Sequence, residues 1–331
     1  MERGKRLSIV IPCYNETENV VPMYHAVTEE MARSLPEYEY ELVFVDNKST
    51  DGTRDQLRLL CAGDPRVRAI LNNRNYGQFN SPYHAMLQVS GDCVISLCCD
   101  FQDPVDMIPQ FVREWEAGYQ VVCGVKTASR EGRLMRLTRT AYYRFLSKAS
   151  DINAIEHFTG FGLYDRSFIE IMRTLDDPIP FLRGIVAEFS TSRREIPYEQ
   201  AKRRSGKTHN NFSSLYDAAM LSFTSYTKIG LRLATYVGFV FSGLSVMAAL
   251  AYLVMKLVWW ERFPAGNIPI LLAVLVLGSM QIFFVGILGE YILNITRRVI
   301  HRPLVIEEER LNFPPETPAG KPDRRDGGKA E

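Results

Sequence analysis

Residues 7–16 read LSIVIPCYNE and residues 41–53 read ELVFVDNKSTDGT. Each is a short run of branched apolar residues that closes on polar side chains, the pattern of a buried strand ending at a loop. Asn19–Arg33, between them, has helical spacing, so the three pieces predict a strand–helix–strand unit. Outward along the chain, Val67–Leu71 (VRAIL), Cys93–Cys99 (CVISLCC) and Gln120–Gly124 (QVVCG) continue the strand series, and Gly52–Ala62 adds another helix. The alternation predicts an α/β fold, Rossmann-like, with a mostly parallel sheet and helices on both faces. After Asp151 the pattern loosens. Phe158–Asp165 (FTGFGLYD) predicts a further strand and Glu188–Pro197 one more. Ligands of such sheets bind beyond the carboxyl ends of the strands, so the residues closing each strand are the candidates for chemistry.

The first strand closes on Pro12, Cys13, Tyr14, Asn15 and Glu16, which offer an aromatic ring and polar groups to a base and ribose, or cap the next helix. Asp46 closes the second and can accept hydrogen bonds from base or ribose, while Ser49–Thr53 form a turn into a helix. The fourth runs out as LCCDFQDP, residues 97–104. Hard divalent cations take oxygen ligands and commonly keep substrate phosphates in their shell. Asp100 can therefore supply a carboxylate to Mg²⁺ or Mn²⁺, with Asp103 a second ligand or a helix cap.

Composition bounds the partners. The 331 residues carry 39 basic and 38 acidic side chains, a formal net charge of +1. No global polycation points to nucleic acid, yet residues 130–144 and 193–207 hold local basic clusters that suit a phosphate-bearing ligand or an anionic membrane surface. The six cysteines form no CxxC pair and no metal-ligand spacing, which fits buried thiols in a reducing compartment.

Two segments change the class. Leu231–Trp260 is almost wholly apolar, and Ile268–Thr296 has Glu290 as its one ionisable residue. Each is longer than the roughly 20 residues that cross a bilayer as a helix. Only Glu261–Asn267 separates them, so they predict a transmembrane hairpin with spans at about 233–257 and 268–293. Lys228 and Arg232 precede it, and Arg297, Arg298 and Arg302 follow. The positive-inside rule then sets the 1–210 catalytic domain and both termini in the cytosol, a multi-pass inner-membrane arrangement. The aromatic, weakly charged 211–230 stretch suits a helix in the membrane interface or one packed on the domain. Residues 299–331 form a cytosolic tail, disordered from Pro314 onward.

Taken together, IPCYNE, VDNKSTDGT, NRNYGQ (73–78), DFQDP, GLYDR (162–166), RRSGKT (203–208) and the two spans resemble the family-2 glycosyltransferases of the GT-A fold. Within them the chain is similar to the dolichol-phosphate mannose synthase and bactoprenol glucosyltransferase branch. The resemblance implies inverting sugar transfer from a nucleotide diphosphate sugar, a UDP-sugar on family frequency, to a polyisoprenyl phosphate such as undecaprenyl phosphate. It also implies a donor site of Pro12, Tyr14, Glu16, Asp46, Asp100 and Gln102, and a metal at Asp100 and Gln102. Lys126, Arg130, Arg139 and Arg203 are the candidates for the acceptor phosphate, since arginine forks match phosphate oxygens. Asp165 is the carboxylate nominated beside Asp100 for catalysis, as a group positioned near the acceptor, or else a cap on the helix from Arg166. Cys98 stands where the family has the first aspartate of an Asp-x-Asp pair, and Asn47 where it has the second of Asp-Asp. A metal-impaired membrane scaffold is therefore an alternative, as is a relative of the processive polysaccharide synthases, although the Gln-x-x-Arg-Trp motif is missing. Gly238, Gly243, Gly286 and Gly289 offer small surfaces through which spans of a homo-oligomer can pack.

Overall fold

The computed structural model describes residues 5–128, 155, 157–175, 177, 178, 180–201, 204, 220, scattered positions from 236 to 258, 267–300 and 302–314. Strands β1 (Arg6–Cys13), β2 (Glu39–Asp46), β3 (Val67–Asn72), β4 (Cys93–Ser96), β5 (Val121–Ala128), β6 (Phe158–Asp165), β7 (Arg193–Glu199) and β8 (Glu307–Leu311) make one sheet. Their order is β7-β5-β6-β4-β1-β2-β3-β8. The described helices are α1 (Val20–Ser34), α2 (Thr53–Gly63), α3 (Gly77–Gln88), α4 (Ile108–Glu116), α5 (Arg166–Leu175), α6 (Leu182–Phe189) and α7 (Asn267–Val299).

Strand alternation divides the core in two. Ile9, Ile11, Leu42 and Phe44 face Met23, Val27, Leu57 and Phe111, carried by α1, α2 and α4. Val10, Val43, Val45 and Ile70 face Tyr83, Met86, Phe168 and Ile185, carried by α3, α5 and α6. Both faces are covered, so the centres of β1 to β3 (Ile9–Ile11, Leu42–Val45 and Ala69–Leu71) are apolar at every position instead of alternating with polar residues. Each such side chain, fully out of water, contributes about 1.5–3 kcal/mol.

Four pairings are parallel: β1 with β2 and β4, β2 with β3, and β5 with β7. Strand β6 runs against both its neighbours, β4 and β5, and β8 runs against β3. The expected mostly parallel sheet thus carries two reversed strands whose direction no local pattern encodes. Gly162 permits the β5–β6 approach: a Cβ there would lie 2.2 Å from the Val122 carbonyl oxygen.

Three expectations are corrected. Glu188 and Phe189 end helix α6, and the strand predicted from Glu188 begins only at Arg193, after a turn. The fourth strand stops at Ser96, because Leu97 onward turns into the loop that carries Asp100. Residues 299–313 are not a free tail. Strand β8 lies inside them, its five residues EEERL too charged to register as a strand by hydropathy.

Helix α7 is 33 residues long, about 50 Å at 1.5 Å per residue. Ile270, Val274, Ile282, Phe283, Val285, Ile292 and Ile295 are exposed along it. Taken on the described residues alone, no helix is long and apolar enough to cross a membrane. Most of the first apolar segment and the 211–230 stretch, apart from Met220, lie outside the described residues, as do residues 315–331.

Candidate active site

Two loops at the carboxyl edge of β1 and β2 are laced into one platform. Asn15 sits at φ 56°, and its N–H donates to Ser49 Oγ (2.8 Å) while its Oδ1 accepts from the Thr50 N–H (2.8 Å). The Glu16 N–H donates to Thr53 Oγ1 (2.9 Å), the Thr17 N–H to Asp51 Oδ2 (3.1 Å) and the Asn47 N–H to the Cys13 carbonyl (2.9 Å). The platform sets Tyr14 and Glu16, both half-buried, at the end of β1. Pro12 pairs with Val45 inside the strand, one step short of that end.

Asp46 faces inward from the sequence expectation. Its side chain is completely buried and accepts from the Lys48 N–H (3.1 Å) and the Ser49 N–H (3.1 and 3.2 Å), with Arg54 Nε at 3.1 Å. Burial pushes its carboxyl pKa up, against the lowering by Ser49 and Arg54. Its oxygens accept from the 46–53 turn, so Asp46 holds that turn in shape at the end of β2.

Asn47 has a structural task that an aspartate could not perform. Its Nδ2 donates to Asn75 Oδ1 (2.9 Å) and the Gly77 carbonyl (3.0 Å), and its Oδ1 accepts from the Tyr76 N–H (2.8 Å). Backbone groups at both ends fix which side is the amide nitrogen. The bonds lock the 73–78 loop onto the end of β2.

The loop after β4 carries the acidic centre. Asp100 is nearly buried, and its Oδ1 accepts from the Gln102 N–H (3.1 Å). Phe101 between them is held at φ 59°, a left-handed conformation costing about 1–3 kcal/mol in a non-glycine residue. Asp103 holds the loop in shape, accepting from the Cys98 N–H (3.0 Å) and from the Tyr198 hydroxyl of β7 (3.0 Å). It is therefore an anchor rather than a ligand or helix cap. Burial raises its pKa, against the Cys98 N–H and the Lys126 charge. Lys126 lies inside β5, near its carboxyl end, in register with Tyr198 of β7, and not after the strand as the sequence placed it. Cys98 is the one exposed cysteine of the six, and burial of its surroundings with the Asp103 and Asp100 charges pushes its thiol pKa well up.

Asp165 is not at this edge. Strand β6 runs against β4, and Asp165 pairs with Cys93, the first residue of β4, at the opposite end of the sheet. There it accepts from Trp115 Nε1 (2.7 Å) and the Ser167 N–H (2.8 Å), capping α5. The catalytic nomination is corrected by strand direction. Arg130, Arg139 and Arg203 lie outside the described residues. Their neighbour Arg204 is described: its N–H donates to the Asp100 carbonyl (3.3 Å) and its guanidinium lies 5.3 Å from the Phe101 ring centroid. Arg204 thus sits on the Asp100 loop, within a stretch that the sequence placed near phosphate chemistry without assigning Arg204.

Among the described residues no group of three or more His, Cys, Asp or Glu side chains could hold a metal ion. One carboxylate, Asp100, beside the Gln102 backbone fits a hard cation that takes the rest of its shell from two phosphates and water. The chemistry of the donor set fits a cation arriving with a diphosphate and not a prebuilt cage.

A doubly covered sheet with an acidic loop, a basic residue and an aromatic platform at one carboxyl edge defines a GT-A-like glycosyltransferase. The chain belongs to glycosyl transferase family 2, whose model matches residues 8–172, and within it to the branch of the bactoprenol glucosyl transferases. The bactoprenol glucosyl transferase of Shigella phage SfV is 30% identical over 307 residues, covering 92% of this chain and 99% of that protein. The SfII prophage-derived bactoprenol glucosyl transferase of Shigella flexneri is 30% identical over 302 residues, covering 91% and 97%. A prophage bactoprenol glucosyl transferase homolog of Escherichia coli K12 is 29% identical over 288 residues, covering 87% and 93%.

Proposed function

We propose that the enzyme transfers a sugar from a nucleotide diphosphate sugar, a UDP-sugar, to a polyisoprenyl phosphate such as undecaprenyl phosphate, inverting the anomeric centre. The observation that carries it is the meeting of Asp100 and Gln102, Lys126 and the Tyr14–Glu16 platform at one sheet edge, in a chain whose sequence also holds two long apolar segments. The acceptor's phosphate oxygen forms the new bond to the anomeric carbon as the bond to the nucleotide diphosphate breaks. Phosphate is already ionised at neutral pH, so the step needs no strong general base, consistent with Asp165 lying elsewhere. Lys126 orients the acceptor phosphate, joined by Arg130, Arg139 and Arg203. A divalent cation held at Asp100 with the diphosphate supplies charge neutralisation to the leaving group.

Helix α7 and the Leu231–Trp260 segment serve as the two spans, with the catalytic domain on the cytosolic face. The β3–β8 pair supports this arrangement. Strand β3 precedes both apolar segments and β8 follows them, yet they pair. The chain must therefore return to the side it left, which an even number of crossings permits and one crossing does not.

The test is transfer of labelled sugar from UDP- and GDP-sugars to undecaprenyl phosphate, with and without Mg²⁺ or Mn²⁺, by the protein and its Asp100→Ala variant. Metal-dependent labelled lipid, lost in the variant, is the expected result. Nucleotide binding without transfer from any donor would instead favour the metal-impaired scaffold, the reading to which Cys98 lends support. Retention of the anomeric configuration in the product would refute inversion.

A further inference from the structure

Strand β8 does more than close the sheet. Glu308, 260 residues beyond Lys48 in the chain, accepts from Lys48 Nζ (2.7 Å) and from Arg54 Nη2 (3.0 Å). Arg54 in turn places its Nε 3.1 Å from Asp46 Oδ2, the carboxylate that organises the 46–53 turn. Lys48 is held at φ 69°, a left-handed conformation that an ordinary residue keeps only when its surroundings fix it. Part of what fixes it comes from the far end of the chain. The remaining contacts of β8 point elsewhere: Glu309 pairs with Arg58 of α2 (2.8 Å), and Glu307 with His84 of α3 and Arg310. Only Glu308 reaches the turn, and the connection from Val299 to Glu307 spans at most about 28 Å when extended. The turn that shapes the donor platform is thus tied, through one side chain, to the strand suspended from α7.

We propose that Glu308 is a positioning residue for the nucleotide-sugar side of the site: by holding Lys48 and Arg54 it keeps the 46–53 turn in its donor-binding form while β8 is docked. The inference rests on the glycosyltransfer reading above, since it assigns the turn to the donor. Exposed ion pairs add little to global stability. The effect therefore falls on the geometry of the turn and not on whether the protein folds.

The experiment compares the full-length protein with Glu308→Gln and with Glu309→Gln, which cuts the neighbouring pair to Arg58 but leaves the turn alone. Two readouts are taken: steady-state transfer at varied UDP-sugar, and amide hydrogen exchange at Lys48 and Ser49. The expected result for Glu308→Gln is a donor KM raised about fivefold with kcat little changed, faster exchange at both amides and an unaltered Tm. Glu309→Gln should match the wild type in both readouts. Unchanged KM and exchange in Glu308→Gln, or equal changes in the two variants, would overturn the proposal, the latter by showing that strand docking as a whole is responsible. If the wild type transfers nothing from any donor, the glycosyltransfer reading fails on its own, while exchange at Lys48 and Ser49 still decides whether Glu308 holds the turn.

Discussion

Replacing Asn47 by aspartate changes one atom and should nonetheless unsettle the active-site floor. Asn47 is 8% exposed, donates to Asn75 Oδ1 and the Gly77 carbonyl, and accepts from the Tyr76 N–H and Asn72 Nδ2. Aspartate keeps the accepted bonds and loses both donated ones, at about 1 kcal/mol each. It also sets a carboxylate oxygen against two acceptors at 2.9 and 3.0 Å, of which Asn75 Oδ1 keeps the Gly77 N–H, at about 1–3 kcal/mol in all. The total is about 3–5 kcal/mol, or a Tm lowered by about 6–20 °C for a domain of this size. The pH dependence follows from the same geometry. A carboxylate facing oxygens titrates above its unfolded value, near 3.9. The penalty is therefore full above the folded pKa and shrinks as pH falls toward the unfolded one, because the protonated acid regains a donor. Thermal unfolding of both proteins from pH 4.5 to 8, with amide exchange at Tyr76, is the assay. Equal Tm values at pH 7.5, or a Tm gap that does not vary with pH, would refute the assignment of Asn47 as a lock on the 73–78 loop.

Two further outcomes are expected. Asp165→Ala should lose the α5 cap and leave the Trp115 indole N–H without its partner, costing about 2–3 kcal/mol, while sugar transfer per folded molecule stays within about twofold of wild type; calorimetry beside the transfer assay checks this, and a collapse of kcat with normal stability would return Asp165 to the chemistry. Burial raises the Glu307 pKa, but hydrogen bonds from His84 and Arg310 outweigh it and hold the carboxyl at about 2. Its stabilisation of β8 is thus complete above the unfolded value near 4.3 and is lost as pH falls toward 2; protection of the 307–311 amides, measured as exchange relative to the intrinsic rate at each pH, should fall across that range, and should fall less in Glu307→Gln.

The sequence alone determined the class of this protein. Apolar runs of β1 to β3, each closing on polar residues, announce a sheet covered on both faces, because burial dictates residue type directly at every strand position. The place of the Asp100 loop and of the Tyr14–Glu16 strand end at the carboxyl edge was legible for the same reason: a strand's carboxyl end is a local property, and those strands keep the direction assumed for them. Asp165 failed because the direction of β6 is set by its partners, β4 and β5, and by the close approach that Gly162 allows, none of which marks its own eight residues. The burial of Asp46 was not legible because it depends on Arg54 and on a turn laced to the β1 loop. Asn47, taken alone, is a lost carboxylate; beside Asn75 and Gly77 it is the amide the loop requires. Glu308 carried no signal at all. Its strand is five charged or half-buried residues, stabilised by pairing with β3 and by ions 250 residues away in the chain, and only tertiary contact could give EEERL a place in the sheet and a hand on the donor turn.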